Sequence, residues 1–338
     1  PAGVGPLQIH VELVRAGDGG DEILGLPAQS GPQAVGHVGM GLEAAGGDAR
    51  ADGGQDVLRA GAVKGHLLHR PLHDAPMPSL DVLGEILSRL KIALFPGYFG
   101  MSNVRMESMR YHLSANLDSI FRKLAEQIRC GACFACAEYA QECLECERIS
   151  REKALEFIER LPHIRRLLAT DARAAYQGDP AATSAGETIF CYPSILTMIH
   201  YRIAHELYLL EVPIIPRILC EMAHAITGID IHPAARIGHH FTIDHGTGVV
   251  IGATCIIGNH VKLYQGVTLG AKSFPLDDDG HPIKGIPRHP ILEDDVIVYS
   301  NATILGRITV GRGATVGGNI WVTEDVPAGA RLVQKKYK

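Results

Sequence analysis

From about residue 81 to residue 228, apolar side chains return every three or four positions. "NLDSIFRKLAEQI" and "REKALEFIERLPHIRRLLATDARAAY" place them on one face with charges opposite, the period of an amphipathic helix laid on a core. "PSILTMIHYRIAHELYLL" and "PRILCEMAHAITG" predict two more helices, each opened near a proline and the second closed by Gly228. Residues 77–228 therefore read as a helical domain. After Gly228 the period becomes six. Ile231, Ile237, Ile243, Val249, Cys255, Val261 and Val267 form one track, and Ile251, Ile257, Leu263 and Leu269 a second, with no slip of register. The count resumes past an interruption as Val298, Ile304, Val310, Val316 and Val322. A six-residue repeat predicts a left-handed parallel β-helix over 229–325, three short strands to a triangular coil, so the fold class is α+β. The interruption, "AKSFPLDDDGHPIKGIPRHP" at 271–290, is polar and proline-rich and is expected to leave the β-helix as a loop and return. Residues 326–338 are expected to form a C-terminal tail.

Residues 1–76 differ in kind, with sixteen glycines, no aromatic residue and no sustained period. They have little to bury against the entropy of ordering, and read either as a disordered extension or as residues ahead of a native start near Met77.

Charge and cysteine content narrow the chemistry. A net charge of −5 with both signs interspersed offers no basic stripe, so no nucleic acid or anionic membrane is expected as partner. No stretch approaches the roughly 20 apolar residues of a membrane span, and no secretory signal opens the chain, so a cytoplasmic location is expected. Five of the eight cysteines, Cys130, Cys133, Cys136, Cys143 and Cys146, lie close together. Two CxxC pairs with a fifth thiol between them suit a zinc or iron–sulfur ligand set. The same spacing puts all five on one broad helical face, where Cys acts as a small hydrophobe. His200 and His205 read as packing or surface residues, and His239, His240 and His260 as solvated corner residues.

"DIHPAARIG", "DHGTGVVIG", "GVTLGAKSF" and "PRHP", in this order on a hexapeptide β-helix, resemble the serine O-acetyltransferases. The resemblance runs from about residue 81 to 334, and "FPGYFG", the long loop and "GIPRHP" point to an extended-loop branch. It implies transfer of acetyl from acetyl-CoA to the hydroxyl of L-serine, a step of cysteine biosynthesis. His245 matches the family's general base, a role suited to imidazole, and Asp230 the carboxylate that orients it. The two are fifteen residues apart, a little under one coil of eighteen, which predicts adjacent coils. Asp179, Pro180 and Asp244 match the groups that receive the substrate's ammonium. Arg288 and His289 match the pair that meets its carboxylate, where a guanidinium fork is apt. Asp179 lies fifty-one residues before Asp230, which implies that the helical domain packs over the catalytic edge of the β-helix.

Gly270, Ala271, Ser300 and Gly318 fall near the family's CoA contacts, although Ala271 stands where many relatives have a second glycine. The resemblance also implies a homotrimer or a dimer of trimers with acetyl-CoA between subunits, and cysteine as a feedback inhibitor. No stable complex with O-acetylserine sulfhydrylase is expected, because Lys338 would bring an ammonium, costly to desolvate, to a pocket that takes an aliphatic side chain. Three other readings compete. A sugar O-acetyltransferase has no use for Asp179, Asp244 and Arg288 together. A γ-type carbonic anhydrase using His239, His245 and His260 leaves Asp230 and "PRHP" unexplained. A non-catalytic β-helix scaffold would need none of these residues.

Overall fold

The computed structural model describes residues 11–14, 76–100, 106–135 and 144–334. Among the described residues six helices precede the β-helix: α1 (Leu80–Leu94), α2 (Met106–Ala135), α3 (Leu144–Gly178), α4 (Ala185–Cys191), α5 (Pro193–Leu209) and α6 (Ile215–Thr227). Local chemistry sets their ends. The Ser79 hydroxyl accepts from the Val82 N–H at the start of α1, and Pro193 opens α5 at a position that needs no N–H donor. Gly228, at φ +69°, closes α6 with its N–H on the His224 carbonyl. Leu83, Ile86, Leu90, Ile120, Leu124, Phe157, Ile164 and Leu168 bury the predicted apolar faces against one another.

Fourteen short strands then wind the parallel β-helix. Its first coil is β2 (Asp230–Ile231), β3 (Arg236–Ile237) and β4 (Thr242–Asp244), and its second β5 (Val250–Ile251), β6 (Ile256–Ile257) and β7 (Lys262–Tyr264). The third is β8 (Thr268–Gly270), β9 (Ile291–Leu292) and β10 (Ile297–Val298), and the fourth β11 (Thr303–Leu305), β12 (Thr309–Val310) and β13 (Thr315–Val316). β14 (Trp321–Val322) and β15 (Arg331–Gln334) make the fifth. Equivalent strands stack into three parallel sheets, β2-β5-β8-β11-β14, β3-β6-β9-β12 and β4-β7-β10-β13-β15. Residues 271–290 leave after β8 and return at β9, held by a short turn in which the Asp277 carboxylate accepts the N–H groups of Asp279 and His281. Arg331–Gln334, inside the expected tail, is a strand, and it pairs antiparallel with β1 (Val11–Val14). Of residues 1–76, only 11–14 and Pro76 are among the described residues.

One expectation needs correction. Ile231 pairs with Ile251, Ile237 with Ile257 and Ile243 with Leu263, twenty residues on, whereas Ile251 pairs with Leu269 and Leu292 with Val310, eighteen on. The register therefore slips by two, and the two apolar tracks exchange roles across residues 244–248. The extra residues widen one corner, where His245, Gly246 and Gly248 all adopt positive φ (59°, 97° and 80°). A Cβ on Gly246 would come 2.5 Å from Ile229 Cδ1, so the wide turn depends on glycine there. Asp230 and His245 consequently open and close the same coil; they do not lie in adjacent ones.

Helix α5 stands on this first coil. The Tyr201 hydroxyl donates to the Ala235 carbonyl at 2.6 Å, and Arg202 Nη1 and Nη2 donate to the Ile237 and Gly238 carbonyls, each at 2.6 Å. His205 Nδ1 lies 2.8 Å from the Pro233 carbonyl oxygen, and the buried His200 bonds to the Leu219 carbonyl, so both histidines pack the domain. Arg202 also forks onto the Asp171 carboxylate of α3 at 3.1 and 3.2 Å, and Asp171 accepts the Phe241 N–H. These bonds fix the end of α3, and with it Asp179, against the corner that carries His245.

Candidate active site

The corner after β4 gathers three of the expected residues. His245 stands out from it with its side chain 73% exposed and its Nε2 3.8 Å from Asp244 Oδ1. Asp244 is mostly buried, and its Oδ2 is 3.1 Å from Lys262 Nζ. Asp179 follows the last residue of α3, where its carboxylate accepts from the Tyr192 hydroxyl and from the Ala181 N–H at 2.8 Å. The Tyr192 bond, then the Ala181 N–H, with the charges of Lys262 and His245 adding to them, hold the Asp179 carboxyl below the usual carboxylate range. The same bond pushes the Tyr192 phenol up to about 12. Asp179 is thus a fixed anion beside His245. Pro180 is exposed in the following turn.

Arg288 and His289 occupy a different corner, the one after β2 and β5, at the other edge of the same sheet. Thr254 organises it. The Thr254 hydroxyl accepts the N–H groups of Arg288 (2.9 Å) and His289 (3.1 Å) and lies 2.8 Å from His289 Nδ1, which also receives the Thr254 N–H. With its oxygen so engaged the hydroxyl donates to Nδ1, which places the ring proton of a neutral His289 on Nε2. Arg307 Nη1 ties the loop's return by donating to the Thr254 and His289 carbonyls. Burial first, then the Arg288 and Arg307 charges, push His289 down to about 4. Burial, with Arg217, His289 and Arg288 nearby, does the same to His232. His289 can therefore meet a carboxylate only as a neutral donor, and Arg288 carries the charge. Arg288 has no ion-pair partner among the described residues, and its Nε is buried without an acceptor.

Both histidines are held neutral by the fold while the unfolded chain protonates them near 6.5. Their contribution to stability is present above pH 6.5 and is lost as pH falls toward about 4. The unfolding temperature is expected to drop across that window, and the drop to be shallower in His289→Gln; differential scanning calorimetry between pH 7 and pH 4 measures both.

Asp230 is not hydrogen-bonded to His245 among the described residues. Its carboxylate lies beside Glu221 and His224 of α6, with their ligand atoms within 4.8 Å of one another. The expected CoA residues divide between the same two corners. Ser300 and Gly318 stack above the His245 corner, joined by the Asn319 N–H on the Ser300 carbonyl, while Gly270 and Ala271 stand where the loop leaves β8. Within one chain the structure does not bring His245 and Arg288 together.

The cysteine cluster is described only in part. Cys130 and Cys133 are 1% and 3% exposed within α2, where burial raises the Cys130 thiol. Cys146 is half-buried, and Cys136 and Cys143 lie outside the described residues. None of the groups of converging ligand atoms among the described residues includes a cysteine. Residues that the sequence reading passed over are Lys262, Thr254 and Gln265, whose Oε1 is buried without a partner on the coil above His245. Only Lys262 carried a signal, a lone cation in an otherwise neutral strand.

No family model matches the chain. The plasmid serine acetyltransferase of Synechococcus elongatus is 48% identical over 276 residues, 81% of this chain and 86% of that protein. A serine acetyltransferase of Bacillus licheniformis is 44% identical over 168 residues, 50% of this chain and 74% of that one. Among solved structures, serine acetyltransferase 1 of Entamoeba histolytica in complex with L-cysteine superposes with a TM-score of 0.63 at 34% identity, covering 79% of this chain and 89% of that one.

Proposed function

Because the chain belongs to the serine acetyltransferases, we propose that it moves the acetyl group of acetyl-CoA onto the hydroxyl of L-serine, giving O-acetylserine and free CoA. The observation that carries this reading is the meeting of Asp179, Asp244 and His245 at one corner, two fixed acids beside an exposed imidazole. The acids take the α-ammonium group and place the hydroxyl by His245. The imidazole removes the hydroxyl proton as the oxygen attacks the thioester carbonyl. Collapse of the tetrahedral adduct expels CoA as thiolate, and the imidazolium returns the proton to sulfur. Asp230 orients the imidazole once the exposed ring turns from Asp244 toward β2.

Arg288 completes the site from a partner subunit. A trimer that sets the corner after β4 of one subunit against the corner after β2 of the next supplies the guanidinium that the first lacks. Acetyl-CoA then lies in the same groove, along Ser300 and Gly318 on one side and Gly270 and Ala271 on the other. Cysteine carries the same ammonium and carboxylate as serine and competes for this site, in keeping with the relative bound to L-cysteine. No described helix is long and apolar enough to cross a membrane, and we place the enzyme in the cytoplasm.

Release of free CoA thiol from acetyl-CoA is expected with L-serine and not with a sugar acceptor; thiol release indifferent to serine refutes the reading. In the same assay Arg288→Lys keeps the charge but loses the fork. The KM for serine is expected to rise about tenfold, roughly 1.4 kcal/mol, with the KM for acetyl-CoA unchanged. If both rise together, Arg288 serves the cofactor instead.

A further inference from the structure

Lys262 sits where the two amine-binding acids meet. It leaves β7 on the outer face of its sheet, the face shared by Thr242, Asp244 and Tyr264 as side chains alternate along paired strands. Its Nζ donates to the Gly178 carbonyl at 2.6 Å, lies 3.1 Å from Asp244 Oδ2 and stands 4.5 Å from the centre of the Tyr264 ring. Gly178 ends α3, where unpaired carbonyls favour a cation, and the next residue is Asp179. One ammonium therefore ties the end of α3, 84 residues away in the chain, to strands of two adjacent coils. Burial opposes its charge, but the bonds to Tyr264 and Asp244 outweigh that and raise its pKa, so it is a permanent cation with its side chain only 15% exposed.

We propose that Lys262 is the positioning residue of the ammonium pocket, tying the Asp244 carboxylate to the peptide that carries Asp179 and so setting the spacing of the two acids. The inference rests on the reading of the site given above. Lys262 engages Asp244 through Oδ2 and leaves Oδ1, the oxygen nearer His245, for the substrate. Tyr192 and Ala181 hold Asp179 from the other side. The charge count fits as well. Two carboxylates and one ammonium leave a single net negative charge, which matches one α-ammonium group and relieves the repulsion between the acids.

The test uses the full chain and two acceptors, L-serine and 3-hydroxypropionate, which has the same hydroxyl and carboxylate but no ammonium. In Lys262→Met the KM for serine is expected to rise about tenfold, the effect of losing one charge-assisted hydrogen bond, with the KM for acetyl-CoA within about twofold. The preference for serine over 3-hydroxypropionate in kcat/KM is expected to shrink by about the same factor, and Lys262→Arg to recover part of it. An equal loss for both acceptors, or an unchanged serine KM, overturns the proposal, since a merely structural lysine would lower both alike. If Lys262→Met does not fold, Lys262→Gln, which keeps a donor for Gly178 but no charge, is read by the same ratio. Thiol release that ignores serine in the unaltered chain defeats the proposed function and this inference together. Normal turnover with an unchanged ratio in the variants defeats only this inference.

Discussion

His245→Ala is expected to lower turnover with serine by about 10²- to 10⁴-fold while leaving acetyl-CoA binding intact. A positioned general base contributes about that much to proton transfer, and in the proposed mechanism the proton is removed only as the hydroxyl oxygen attacks, so the loss falls on the transition state. Nothing about folding obscures the result. His245 is 73% exposed at the rim of its corner, and among the described residues its Nε2 has only the 3.8 Å approach to Asp244, so its removal opens no cavity. Its φ of +59° is more easily tolerated by Gly, which makes His245→Gly a second variant that should lose turnover to the same degree. Thiol release measures the loss, and isothermal titration with CoA measures the retained binding. Turnover within tenfold of the unaltered chain would take His245 out of the chemistry.

The second large effect is on stability. Arg202→Met is expected to cost about 3–5 kcal/mol, the range for removing one partner of a buried ion pair. Arg202 and Asp171 are 2% and 0% exposed at their side chains, so water cannot replace the guanidinium. Among the described residues the Asp171 charge keeps only the Phe241 N–H, and the Ile237 and Gly238 carbonyls lose the Arg202 donors. The midpoint of urea unfolding should fall sharply. Adding Asp171→Leu should recover part of the loss, because the double variant no longer buries an unpaired charge. If Arg202→Met unfolds at the same urea concentration as the unaltered chain, the pair does not hold the domains together.

Activity gives a further reading of the same pair. Arg202 joins α5, α3 and the first coil, so the end of α3 should loosen in Arg202→Met. If Asp179 takes the substrate's ammonium as proposed, serine affinity should weaken before the fold is lost.

The helices, the six-residue winding and the loop at 271–290 were determined by the sequence alone. Each is written in local apolar spacing, three or four residues for a helix face and six for a coil, and such periods survive without knowledge of what lies across the fold. His245, Asp244, Asp179 and Arg288 could be singled out as candidates because the motifs that resemble the family mark them, and the structure brings the first three to one corner. What joins distant segments was decided by tertiary structure. The two-residue slip at the His245 corner was hidden because both tracks are apolar and buried, so Val249 continued the count as well as Ile251 does. Lys262 reaches Gly178 across 84 residues and Thr254 reaches His289 across 35, spans over which periodicity carries no distance. The same holds for Arg288, which motif order set beside His245 and the winding placed at the opposite edge of a sheet. The cysteines show the limit most plainly: their spacing permits either a metal or a packed helix face, and only the structure shows that Cys130 and Cys133 are buried within α2, where a small apolar side chain packs favourably.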